Sequence, residues 1–169
     1  FNPFDWVQYR KTGNINSISY SNTYLYLGSE NGGILRFNLY SERFEEPITI
    51  AQGLKSNSIK ALHLDSSGSL WVATRIGLDF SLSAEGDWRH LTYRELNIPS
   101  GLYIEQIGES IDAIWIKTSN IYYRLDRING IILESMLIPN QKIIWSSKNS
   151  NSTIDFSSII INYSLLDGW

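Results

Sequence analysis

Residues Gly53–Gly77, GLKSNSIKALHLDSSGSLWVATRIG, hold the pattern from which the fold is read. Ile59–Asp65 is a short run rich in apolar residues, and Ser66-Ser67-Gly68 is a turn cluster. Ser69–Thr74 is a second run with Trp71 at its centre, and Gly77 follows. Two runs of β-forming residues around a glycine-containing turn predict a hairpin. The same hairpin recurs about 44 residues earlier and about 45 residues later, a spacing in the range of four-stranded repeats.

Laid out on that period, the chain divides into units. The first has runs at Ile15–Tyr20, Tyr24–Ser29, Ile34–Leu39 and Arg43–Ile50. The second has Ile59–Asp65, Ser69–Thr74, Leu78–Ser83 and Trp88–Tyr93. The third has Ile104–Glu109, Ala113–Thr118, Ile121–Asp126 and Ile131–Ile138. Alternation with period 2 and punctuation by Gly, Asn and Ser mark strands rather than helices. Tyr26, Trp71 and Trp115 fall in register, each followed three residues on by Ser29, Thr74 or Thr118. A large aromatic at a repeated mid-strand phase is expected to pack between sheets.

A fourth unit carries three runs, Ile143–Lys148, Thr153–Ser158 and Ile159–Leu165, without a fourth. The isolated run Trp6–Tyr9 resembles the last strand of the second unit and is expected to complete the fourth. The fold expected is therefore all-β, a β-propeller of about four four-stranded antiparallel blades, with the N-terminal strand closing the last. The single domain 1–169 divides into a closing strand at 1–13 and blades at 14–50, 51–93, 94–138 and, incomplete, 139–169. A sandwich gives no reason for an aromatic recurring at this period, and solenoids use shorter repeats of roughly 20–30 residues.

The residues Gly53-Leu54, Ser56-Asn57, Ile59, Leu62, Asp65, Gly68, Leu70-Trp71, Thr74 and Gly77-Leu78 resemble the two-component regulator propeller repeat, G-L-x-S-N-x-I…L…D…G-x-L-W-x-G-T…G-L. Ala73 stands where that repeat usually has glycine. The match is close in blade two, partial in blade one (Leu27-Gly28-Ser29, Gly32-Gly33) and thin beyond. The resemblance implies a propeller of the kind found in extracytoplasmic sensor regions of bacterial regulators or in secreted propellers. Such propellers usually have more than four blades, so the chain is expected to be part of a larger ring or half of a ring completed by a second copy. It begins at Phe1 rather than Met, as after removal of a signal peptide, a tag or a longer N-terminal part.

Composition narrows the function. The net charge of −3 is spread in ones and twos, which argues against a nucleic-acid partner and its clustered basic face. No apolar run approaches the ~18–20 residues of a membrane span. There is no cysteine, so disulfides and thiolate chemistry are excluded. His63 and His90 lack a ligand-type spacing. No nucleophile elbow, phosphate loop or dinucleotide fingerprint is present. The 17 carboxylates are dispersed, with Glu45-Glu46 and Glu85-Gly86-Asp87 the close pairs. Asp65 reads as the cap of its own turn. No metal, cofactor or catalytic residue is assigned.

Residues free to bind are expected in the loops around the axis. Those between blades offer Asn14, Asn57, Tyr103 and Gln141, and those between second and third strands offer Glu30, Asn31, Arg75 and Asn120. Arg75 is a lone cation directly after the repeated Thr74, suited to a carboxylate. The expected function is a non-catalytic ligand- or protein-binding sensor module of a bacterial extracytoplasmic protein. The alternatives are a structural propeller segment of a larger secreted or cell-envelope protein, and a propeller lyase or glycosidase whose active groups ride on separate blades.

Overall fold

A computed structural model describes residues 13–148. They form three antiparallel sheets in chain order, each built on four consecutive strands, the first and third extended by a short fifth strand. Blade one comprises β1 (Ile15–Tyr20), β2 (Tyr24–Ser29), β3 (Ile34–Asn38) and β4 (Arg43–Ile48). Blade two comprises β5 (Ile59–Leu64), β6 (Leu70–Thr74), β7 (Gly77–Ser81) and β8 (Arg89–Thr92). Blade three comprises β9 (Gln106–Glu109), β10 (Ile114–Lys117), β11 (Tyr122–Leu125) and β12 (Ile132–Met136). A single 3-10 turn, Ile50–Gln52, follows β4, where the Thr49 and Gln52 side chains form a capping box.

The alternation along β6 explains how the sheets stack. Leu70 and Val72 join Tyr26, Ile34, Ile48, Ile59 and Leu62 in the core between blades one and two. Trp71 and Ala73 point the other way, into the core with Ile107, Ile114, Ile116, Tyr123 and Leu125 of blade three. All five β6 residues are buried, because a central strand covered on both faces reads as a continuous apolar run. Tyr26 and Trp71 each lie on the blade face turned toward the next blade, and Trp115 is likewise fully buried. Trp71 stacks on Phe80 with centroids 4.5 Å apart.

The small hydroxyls three residues on close the turn between second and third strands. Ser29 Oγ donates to the Gly33 carbonyl at 2.7 Å and accepts from Gly32 N–H at 2.9 Å. Thr74 Oγ1 accepts from Ile76 N–H at 3.2 Å, and Thr118 Oγ1 donates to the Ile121 carbonyl at 3.2 Å. The repeat of hydroxyls is thus a repeat of capped turns.

First strands line the axial side, β1 packing on β5 and β5 on β9. Polar side chains of β1 stitch the first contact. Asn16 Nδ2 donates to the Ile59 carbonyl at 2.8 Å, Ser17 Oγ accepts from Leu62 N–H at 3.1 Å and Ser19 Oγ from Leu64 N–H at 2.9 Å.

One expectation is corrected. Ile143–Lys148 does not open a sheet of its own within the described residues; it is divided between two blades. Its first part, β13 (Ile144–Trp145), pairs with β9, and its second, β14 (Ser147–Lys148), pairs with β1. A strand needs only an unpaired edge as a partner, and the two first strands offer such edges. The run Trp6–Tyr9 and the later runs of the fourth unit lie outside the described residues.

Candidate functional site

Turns between second and third strands share one end of the sheets with the links between blades. At that end a cavity of ≈ 730 Å³ is lined by Asn16, Lys60, Arg75, Tyr103, Ile104 and Glu105. Each blade contributes through the start of its first strand. Asn16 follows Ile15, Lys60 follows Ile59 and Glu105 follows Ile104, at the same phase of the repeat. The isoleucine of each pair turns into the packing, Ile59 and Ile104 being buried, so the next residue faces the axis.

Arg75 sits in the turn that Thr74 caps, exposed at the rim. Tyr103 is held by its neighbours. Its ring meets Tyr93 edge-on, with centroids 5.6 Å apart. Tyr93 in turn donates to the Thr74 carbonyl at 2.9 Å and accepts from Ile104 N–H at 3.2 Å. Burial pushes the Tyr93 phenol above its ordinary range, so it stays a neutral clamp. Tyr103 itself keeps 53% of its surface exposed, which leaves a ring face for a ligand. Among the described residues neither Lys60 nor Arg75 has an ion-pair partner. Glu105 is the one carboxylate in the lining.

The other residues expected at a site are placed differently. Asn57 is a structural link: its carbonyl accepts from Gly33 N–H at 2.9 Å and its Oδ1 from Ile50 N–H at 2.9 Å. Glu30 Oε2 accepts from Asn14 N–H at 3.1 Å and holds the entry to β1. Asn31 and Asn120 are exposed turn residues away from the cavity lining. Gln141 lies at the opposite end, hydrogen-bonded to Asp112, because the segment after β12 crosses the sheet before β13 begins.

At that opposite end lies a second cavity, of ≈ 670 Å³, beside a charge cluster that joins blades two and three. Glu109 accepts from Ser66 N–H at 3.1 Å, from Ser66 Oγ at 2.9 Å and from Arg127 Nη2 at 3.0 Å. Arg127 Nη1 lies 3.8 Å from Asp65 Oδ2. His63 places Nε2 at 3.3 Å from Glu109 Oε1 and turns Nδ1 to the Ser146 hydroxyl. Burial lowers the His63 pKa although Glu109 favours its charged form. Burial opposes ionisation of Glu109, yet its bonds to Ser66 and Arg127 outweigh this and hold the carboxyl below its usual range. The second histidine, His90, bonds the fully buried Asp79, whose other oxygen accepts from Lys55 N–H at 2.9 Å. The carboxylates of both clusters are satisfied by neighbours and brace the fold, whereas Arg127 keeps Nε and Nη1 buried without a hydrogen-bond partner among the described residues.

Sequence reasoning missed Asn16, Lys60, Glu105 and Arg127. The first three carried a signal, the residue after the repeated isoleucine. Arg127 carried none, since its partners Asp65, from a turn of blade two, and Glu109, from the end of β9, are remote in sequence. Among the described residues there is no group of three or more His, Asp or Glu placed to hold a metal. Nor is any helix long and apolar enough to cross a membrane.

Residues 53–75 match the family model described as two component regulator propeller. The extracellular domain of the hybrid two component system BT4673 from B. thetaiotaomicron superimposes with a TM-score of 0.59 at 21% identity, over 70% of this chain and 16% of that one. The corresponding domain of BT3049 from the same organism gives 0.53 at 22% identity, over 79% of this chain and 20% of that one. The computationally designed protein Ika8 gives 0.54 at 12% identity, over 79% of this chain and 43% of that one. No curated protein matches the chain significantly. These likenesses establish the propeller fold. The chain spans a fifth or less of the bacterial extracellular domains it matches.

Proposed function

We propose that this chain is part of a non-catalytic, ligand-binding sensor propeller of a bacterial extracytoplasmic protein, and that its ligand sits in the cavity between Lys60, Arg75 and Tyr103. The observation that carries this reading is the convergence of one polar residue from the entry of each blade, Asn16 and Lys60 in β1 and β5 and Glu105 directly before β9, beside Arg75, which has no ion-pair partner among the described residues, and Tyr103. Two unpaired cations favour an anionic group on the ligand, Tyr103 offers a face for an apolar or ring surface, and Glu105 accepts from a donor. A small organic acid with a hydroxyl or amine has this chemistry. The extracytoplasmic setting rests on likeness to extracellular domains of bacterial two-component systems.

The test is calorimetric titration of the chain with glutamate, succinate and glucuronate. Binding of one of them, weakened about tenfold or more by Arg75→Ala and by Lys60→Ala and unchanged by Asn120→Ala, is the expected result. Binding that ignores both cation substitutions overturns the assignment. A second reading, a structural segment of a larger propeller, is favoured by how little of its structural neighbours the chain spans. It predicts no binding at this cavity and stabilisation by flanking sequence.

A further inference from the structure

The segment Ile143–Lys148 runs along the axial side and meets the first strand of every blade. Ile144 lies opposite Glu109 and Trp145 opposite Gly108 on β9. Ser146 N–H donates to the Ile107 carbonyl at 3.1 Å, and its hydroxyl meets His63 of β5. Ser147 lies opposite Ile18 and Lys148 opposite Ser17 on β1. One extended hexapeptide therefore uses two strand edges and a side chain between them.

Gly108 shows that this seat is written into β9 itself. Positions facing the repeated aromatic across the first hairpin are Ser19, His63 and Gly108. The Gly108 backbone is not among those with positive φ, so its own conformation does not require glycine. The overlying segment does. A Cβ at Gly108 would stand 2.7 Å from the Ile144 carbonyl oxygen, 2.8 Å from the Trp145 ring and 2.9 Å from Ile143 Cγ2. The occupant is held mainly by backbone pairing, and Ile144 keeps 66% of its surface exposed. Main-chain pairing at an open edge is the mode by which extended peptides add to sheets.

We propose that the inner edges of β1 and β9 form an acceptor for one extended peptide of apolar–aromatic–hydroxyl pattern, filled in cis by Ile143–Lys148 and able to take a partner strand of the same pattern in trans. Gly108 admits the strand, Tyr122 packs on its aromatic (5.9 Å between the Trp145 and Tyr122 rings) and His63 selects its hydroxyl.

The probe is a fluorescent peptide with the sequence of residues 141–148, QKIIWSSK. The host is the chain carrying Ser146→Pro, which removes the donor to Ile107 and the hydroxyl at His63. Anisotropy should show the peptide binding this host at least tenfold tighter than the unsubstituted chain, whose own segment competes. Adding Gly108→Val to the host should abolish binding. Equal binding with and without Gly108→Val, or no binding to a folded Ser146→Pro host, overturns the proposal. A second readout needs no variant: the Ser146 amide of the unsubstituted chain should be protected from hydrogen exchange, and exchange at the rate of an open loop overturns the proposal as well.

Discussion

The indole N–H of Trp71 donates to Asp65 Oδ2 at 3.0 Å, joining the central aromatic of blade two to the turn that opens its first hairpin. The other oxygen of Asp65 accepts from Ser67 N–H at 2.8 Å and Ser69 N–H at 3.0 Å. Asp65→Ala leaves three N–H donors without this acceptor at a site only 4% exposed. The expected loss is on the order of 2–4 kcal/mol, measured by urea unfolding. In blade three Ser110 Oγ takes the place of the carboxylate, accepting from Trp115 Nε1 at 2.9 Å. Ser110→Ala removes this neutral acceptor and the hydroxyl's own donation to Asp112 Oδ1 at 3.0 Å, at an exposed carboxylate, and should cost about 1–2 kcal/mol. Equal effects at the two sites would contradict the assignment of roles.

Gly33 and Gly77 occupy one phase of the repeat, at the start of a third strand, and both abut the outer strand of their blade. A Cβ would stand 2.3 Å from the Ile48 carbonyl oxygen at Gly33 and 2.1 Å from that of Leu91 at Gly77. Backbone cannot move aside without breaking the ladder, so Gly77→Ala should cost roughly 3 kcal/mol or more. Gly86→Ala, at a position with nothing within 4 Å of the added carbon, serves as the control and should leave thermal unfolding nearly unchanged.

Acid should loosen the contact between blades two and three in two steps. His63 has a folded pKa below its ordinary value of 6.5, chiefly through burial. The unfolded chain takes up that proton first, so this contribution is complete above about pH 6.5 and fades as pH falls toward the folded pKa. Glu109 is also held below its ordinary 4.5, so its contribution is lost only as pH falls below that value. The groups facing His63 are Glu109, Asp65 and Arg127. His63→Gln should flatten the fall in melting temperature that begins as pH drops below about 6.5, while keeping the lower step of Glu109. A profile unchanged by His63→Gln would remove the histidine from this account.

Much of the architecture was legible before any coordinates. Each strand of the three complete units begins or ends within two residues of its expectation, because period-2 alternation and the turn residues act locally. The burial of the repeated aromatic also read correctly, since the same task is performed in each unit; the repeated hydroxyl was visible as a recurrence, and its capping of the turn emerged from the structure. The candidate site was half legible. Arg75 and Tyr103 do line one cavity, but Asn57 and Glu30 spend their polar atoms on neighbouring backbone, and Gln141 lies at the other end. A loop residue's position in the repeat says which end it starts from. It does not say whether a backbone donor nearby will claim its side chain.

By itself the sequence determined the strands, the pairing of neighbours within a blade and which face of each blade meets the next. Those follow from contacts a few residues apart and from a period that repeats them. Tertiary structure alone decided where Ile143–Lys148 goes and that Arg127 joins Asp65 and Glu109. The physical reason is that an unpaired edge and an unpaired charge are satisfied by whatever the stacked blades bring within reach, and sequence spacing does not encode that distance.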